Sequence, residues 1–211
     1  MSMENNEQML SDVVAAMHAG EGLRERVRGM VLRALVEHEG DPAEVRQVLR
    51  QVFAGVGAGL PERGNRAAEA ARAAVQGLDE ALGRSVYALQ MALEEGWSQG
   101  RRFAETDLRH TMDEIKGLED DLLGTLKESA DKGQGVARDV LVNLYEHLKR
   151  NGTDTGNQLN SVLRTLGSRL GDVAGGARDE LAVQAKESGE RLRDVASGIL
   201  RGLADGLDGR G

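Results

Sequence analysis

Every eleventh residue from Ala71 to Leu203 is apolar. The column reads Ala71, Leu82, Leu93, Ala104, Ile115, Leu126, Ala137, Leu148, Leu159, Leu170, Leu181, Leu192 and Leu203. In a chain that is 40% hydrophobic, chance alone would put polar residues at more than half of these positions. Two further columns complete a 3-4-4 spacing. One starts Val75, Val86, Trp97 and Leu108 and later takes in Leu141, Leu163 and Leu207. The other includes Leu78, Leu89, Leu122, Leu144, Leu166 and Ile199. Spacing of three and four residues is that of an amphipathic α-helix. A period of eleven, about 3.67 residues per turn, keeps the apolar stripe almost straight with a slight right-handed drift. The fold class expected is all-α.

No proline follows Pro61, so the strongest helix breaker is missing from the rest of the chain. Glycines oppose continuity. Gly133 with Gly135, Gly152 with Gly156, and Gly175 with Gly176 each weaken a helix by about 1 kcal/mol per residue relative to alanine. Asn151-Gly-Thr-Asp-Thr-Gly reads as a turn, with Thr153 or Asp154 capping the next helix. These three places are candidate hinges, yet the eleven-residue register crosses all of them. Unbroken register suits one continuous rod, or segments laid end to end on one surface. A single helix over 66–208 would reach roughly 215 Å at about 1.5 Å per residue. So long a stripe must fold back into a bundle, pair with another copy, or lie on an apolar surface.

The region before the repeat is organised differently. Residues 1–7 read as a disordered tail, and 8–58 as a small unit of three short helices. The first spans 8–18, with Met9, Leu10, Val13, Val14 and Met17 at helical spacing and Gly20 beyond its end. The second, 23–38, carries Leu23, Val27, Met30, Val31, Ala34 and Leu35 on one side. The third has the clearest start signal in the chain. Asp41 is its N-cap, Pro42 its first residue and Glu44 the capping-box acid, ahead of Val45, Val48, Leu49, Val52 and Phe53. Glycines 55, 57, 59 and 64 with Pro61 should close that helix, so 59–65 is expected to be a flexible Gly/Pro linker before the long region 66–208.

Composition excludes several function classes. Aromatics are 2% of the chain, too few for the thick core of an ordinary globular domain, and cysteine is absent. No disulfide framework or thiolate metal site can therefore form. The acidic, polar start and the lack of any long apolar run argue against a standard export signal or a transmembrane segment, so a cytoplasmic location is expected. The net charge of -8, with Lys and Arg dispersed, argues against nucleic acid as a partner. His18, His38, His110 and His147 are far apart, and none lies at the i, i+4 spacing that a helical metal site needs. Runs such as Glu119-Asp120-Asp121 resemble a solvated helix face more than a catalytic pair. Glu119 itself is unusual because it interrupts an apolar column. It marks either a local polar contact or a tolerated substitution, the latter being the commoner case. Neither Gly55-Val-Gly-Ala-Gly nor Gly133-Gln-Gly has the spacing of a phosphate-binding loop. No catalytic, metal or cofactor site is expected, and the chain reads as non-enzymatic.

Charge placement completes the pattern. Acids such as Glu80, Asp113, Glu128, Asp139, Glu146 and Asp172 lie opposite the stripe, while Arg72, Lys116, Lys127, Arg138, Lys149 and Arg169 border it. Long basic side chains can lay their methylenes on an apolar phase and lift their charge out of it, which suits an interfacial helix. The same arrangement also serves the solvated face of any bundle helix. The proline-free, Ala- and Leu-rich region resembles the phasins, amphipathic helical proteins that coat bacterial polyhydroxyalkanoate granules, and more distantly the exchangeable apolipoproteins. The resemblance is one of pattern, and the many glycines and the separate 8–58 unit depart from it. It implies a protein that adsorbs to a hydrophobic granule or lipid surface and limits coalescence, in the cytoplasm or at the surface of an inclusion or membrane. The surface-binding stripe would be Leu82, Leu93, Trp97, Leu108, Ile115, Leu126, Leu148, Leu159, Leu170, Leu181, Leu192 and Leu203, with Trp97 as an interfacial anchor or a core residue. Two other readings stand beside it. One is a self-assembling helical scaffold or filament in which the same columns meet another copy. The other is a stress-protective protein that becomes helical on binding or drying.

Overall fold

Helix α4 (Ala67–Ser98), at 32 residues, is the longest of the described helices and contributes to both apolar clusters of the fold. Before it come α1 (Met3–Ala19), α2 (Leu23–Glu37), α3 (Pro42–Gly59) and a short 3-10 helix, Pro61–Arg66. After it come α5 (Glu105–Lys116), α6 (Leu118–Lys132), α7 (Gly135–Asn151) and α8 (Asp154–Ala174). The computed structural model describes residues 3–38, 41–100 and 105–174, and among these there is no strand. The fold is all-α. No helix among the described residues is long and apolar enough to cross a membrane.

The N-terminal helices begin where capping chemistry places them, and end elsewhere. Asp41 Oδ1 accepts from the amides of Ala43 at 2.8 Å and Glu44 at 3.1 Å, with Pro42 in the first turn. The helix then runs through Gly55 and Gly57 to Gly59, one residue past the expected end of the helical unit at 58, so neither Gly55 nor Gly57 breaks it. The reason is tertiary. A Cβ at Gly55 would sit 2.8 Å from the Val13 side chain, and one at Gly59 would sit 2.6 Å from Met17 Cβ. These glycines let α1 and α3 approach closely, and that packing offsets their poor helix propensity. Residues 3–7, expected as part of a disordered tail, are the first turns of α1. The expected flexible linker is a 3-10 helix, preceded by a fully buried Leu60, with Gly64 turning the chain at φ 51°.

The stretch 8–58 does not stand apart from the helices after it. Helix α2 lies along the first half of α4, the most extensive pairing in the molecule. At its closest point Gly77 meets the main-chain carbonyl of Arg24, leaving no room for a Cβ. Glu80, one turn on, bonds to Arg24 and accepts from Arg28 Nη1 at 2.9 Å, clamping the same pair of helices. One apolar cluster therefore runs through α1, α2, α3, α4, α6 and α7, and holds Phe53, Leu78, Leu82, Leu122 and Leu126. A second and smaller cluster joins the far half of α4 to α5 and α8 through Val86, Leu93, Leu108, Ile115, Leu159, Val162 and Leu166. Leu118, at the start of α6, packs against both. Burying each such leucine contributes about 1.5–3 kcal/mol, so leucines and alanines in quantity replace the missing aromatics.

The repeat region is not a rod. The chain leaves helical geometry at Gly133, which is extended (φ -67°, ψ 159°), and again at Gly152 (φ 81°). These are two of the three glycine sites read as hinges, and the third, Gly175 with Gly176, lies outside the described residues. Gly156, by contrast, is inside α8. The apolar register survives the reversals because each helix needs its own stripe, and all the stripes face a shared interior.

Candidate functional site

The structure turns the expected surface-binding stripe inward. Leu82, Leu93, Leu108, Ile115, Leu126 and Leu159 are buried, while Trp97 and Leu148 are half-buried against the second and first clusters respectively. Leu170 lies on the α8 backbone, and Leu181, Leu192 and Leu203 lie outside the described residues. None of the eight described side chains is exposed, so in the folded chain the columns cover one another rather than an external phase. Among the described residues, the large apolar side chains left in water are others: Tyr87 and Met91 on α4, and Val136 and Val142 on α7.

Beyond the apolar packing of Leu159, Val162 and Leu166, the first turn of α8 is held by polar contacts. A helix begins with amides that have no partner within the helix, and burying them unpaired is costly. Here three of them are met by side chains. Thr153 is the N-cap, and its Oγ1 accepts from Gly156 N at 2.8 Å. Asp79, on α4 and only 6% exposed, reaches across to the other two. Its Oδ2 accepts from Asp154 N at 2.7 Å and its Oδ1 from Thr155 N at 2.9 Å. The fully buried Thr155 hydroxyl lies 2.6 Å from Asp79 Oδ1 and 3.1 Å from the Asp79 main-chain oxygen. Glu119, from α6, accepts from Thr153 Oγ1 at 2.6 Å. A Cβ on residue 156 would collide with the Glu119 carboxylate, so glycine is what admits the α6 side chain to this corner. The start of α8 is thus pinned to two other helices by acids placed at the positive end of its dipole.

The charge around this latch is unevenly shared. Burial, together with the nearby carboxylates of Asp79 and Glu80, pushes the Asp154 carboxyl above its ordinary range despite Arg24. Burial also pushes Glu80 upward, but hydrogen bonds and charge from Arg24 and Arg28 outweigh it and hold that carboxyl low. Asp79 and Glu80 are therefore neighbours in sequence with different tasks: one caps α8, the other clamps α2. Through Asp79 and Glu119 the arrangement joins one helix to another. Its chemistry is that of a joint.

Sequence reasoning left Glu119 between a local polar contact and the commoner tolerated substitution, and offered Thr153 or Asp154 as the cap; the structure gives the polar contact and Thr153, and brings the two together. Asp79 and Thr155 were missed. Thr155 carried a signal, since it too occupies an apolar column, directly in step with Leu144 and Leu166.

No curated protein and no solved structure matches the chain. One family model does, over residues 1–209, and the chain accordingly belongs to DUF6781, a family of unknown function.

Proposed function

We propose that this is a non-enzymatic amphipathic helical protein that covers a hydrophobic surface, a storage granule or a lipid boundary, and that the latched bundle is its closed form. The observation that carries the reading is the combination of a long apolar stripe, whose Ala71 column is unbroken, with the burial of its described part behind a polar joint. Apolar surface that the helices now give to one another could be given instead to an external phase, at little cost in transfer free energy. The helices themselves would persist, since their backbone bonds lie within each segment. Opening requires only that interhelical contacts be exchanged, and the α8 latch, like the Glu80 clamp on α2, is a contact that an apolar surface cannot replace. The likeness to phasins and exchangeable apolipoproteins supports the same reading.

The test is adsorption of the full chain to polyhydroxyalkanoate particles and to phospholipid vesicles, followed by flotation and by Trp97 fluorescence. Asp79→Ala leaves every apolar column intact while loosening the joint, so it should adsorb faster than wild type, with an earlier blue shift of Trp97. Equal rates, or no adsorption by either protein, would overturn the proposal. The self-assembly reading retains one observation in its favour: Tyr87 and Met91 are exposed one turn apart on α4. Concentration-dependent sedimentation that Tyr87→Ser with Met91→Ser abolishes would favour it.

A further inference from the structure

Where the first turns of α4 pass α7 there is a groove of about 210 Å³. Its apolar lining is Ala68, Val140 and Leu144, and its polar lining is Arg72, Asn143, His147 and Arg150. The α7 members fall at i, i+3, i+4, i+7 and i+10, hence along one face, and Ala68 opposite them is small enough to leave the space open. The chain carries 35 acidic residues against 27 Lys and Arg, yet no Asp or Glu lines this groove. Among the described residues neither Arg72 nor Arg150 has a carboxylate partner. The Arg150 stem is held in place, because Nε donates to the Glu146 carbonyl at 3.0 Å. The His147 ring is oriented as well. The Asn151 amide lies 3.0 Å from Nδ1 and 3.5 Å from Nε2, and donates to the His147 carbonyl at 2.9 Å.

We infer that the groove binds a small amphipathic carboxylate, a medium-chain alkanoate in class, with its head at Arg72 and Arg150 and its tail along Val140 and Leu144. Two guanidinium forks suit a carboxylate, which can accept paired N–H bonds from each. The apolar lining suits a tail and gives nothing to a bare inorganic anion. Size limits the tail. The groove is smaller than the roughly 300 Å³ at which pockets begin to take drug-sized ligands, and holds about seven waters at about 30 Å³ each, the bulk of an eight-carbon chain. This site is independent of the α8 latch and of the surface-coating reading.

Titration calorimetry of the full chain with octanoate tests it, beside octylammonium, which keeps the tail and reverses the charge, and acetate, which keeps the head alone. Saturable one-to-one octanoate binding is expected, with octylammonium and acetate each weaker by at least about tenfold. Arg72→Ala and Arg150→Ala should each weaken octanoate by about fivefold or more, as loss of a charge-assisted pair does. Both arginines are exposed, so these variants should melt as wild type does. Ala68→Leu fills the groove and should abolish binding at an unchanged melting temperature. The inference is overturned if octanoate does not saturate, if octylammonium binds as well, or if Arg72→Ala, Arg150→Ala or Ala68→Leu binds octanoate as wild type does.

Discussion

Asp79→Ala should cost about 3 kcal/mol of folding stability, and the cost should be concentrated at α8. Removing the carboxylate takes the acceptor from the amides of Asp154 and Thr155. The Thr155 amide is buried, and leaving it unpaired costs about 1–3 kcal/mol. The Asp154 amide lies at an exposed residue where water can replace the lost partner, so its share is nearer the low end, about 0.5–1 kcal/mol. Loss of negative charge at the α8 dipole adds about 0.3–1 kcal/mol. The Thr155 hydroxyl can turn to the Asp79 main-chain oxygen, so it adds nothing, and relief of repulsion with Asp154 returns a fraction. For a chain of this size, 3 kcal/mol is a fall of roughly 6–12 °C in melting temperature. Asp79→Asn keeps one acceptor oxygen and should lose about half as much. Two measurements identify the mechanism. Amide exchange should show α8 losing protection while the helices around Phe53 keep theirs. A cycle with Thr155→Val should give a coupling above about 1 kcal/mol. A loss below about 1 kcal/mol, or one spread evenly over the molecule, would mean that Asp79 is not what holds α8.

The other predictions concern close packing and pH. Gly77→Ala forces a Cβ against the Arg24 carbonyl, where no side-chain end can swing away, and should cost about 1–3 kcal/mol in urea denaturation. Gly57→Ala, also in a helix but with nothing within 4 Å of its new Cβ, should gain about 0.5–1 kcal/mol; a loss at both positions would refute the distinction. The Glu80 carboxyl is held low in the folded state, so its contribution is present above the unfolded value of about 4.3 and disappears as pH falls through the folded value. Glu80→Gln should therefore be less stable than wild type at neutral pH and lose less on acidification. Asp154 behaves oppositely. Its raised folded value means that stability falls as pH rises from about 3.9 through that value, so Asp154→Asn should be the more stable protein at pH 7 and lose its advantage in acid. Parallel stability–pH curves for wild type and either variant would contradict the assignments.

How much of this could be read in advance depended on how far away the deciding partner lay. Asp41 was legible because its partners are the amides of Ala43 and Glu44, two and three residues on. The turns at Gly133 and Gly152 were legible as weak points for the same local reason. Gly55 and Gly59 were misread, since they differ from breaking glycines only in facing Val13 and Met17 about 40 residues earlier, and no local rule reports that contact. Asp79 was missed because the amides it serves are 75 and 76 residues away.

The eleven-residue register carried less geometry than its regularity suggests. It specifies that each segment has an apolar stripe of given pitch, and this holds equally for a rod, a bundle or a coat on a surface, because in all three the stripe meets apolar material. What separates these states is whatever can be satisfied in only one of them, and that is polar. Glu119 and Thr155 interrupt apolar columns, where a lipid or polymer phase would leave a carboxylate and a hydroxyl to desolvate alone. In the bundle they belong to the network around Asp79, Thr153 and the start of α8. Glu119 and Thr155 therefore specify the closed fold more narrowly than the apolar positions of the columns do. They also set a direction for opening: an apolar surface can compensate the separation of α8 from α4 everywhere except at this corner, so the corner should be the last contact to give way and the one whose removal most speeds the exchange.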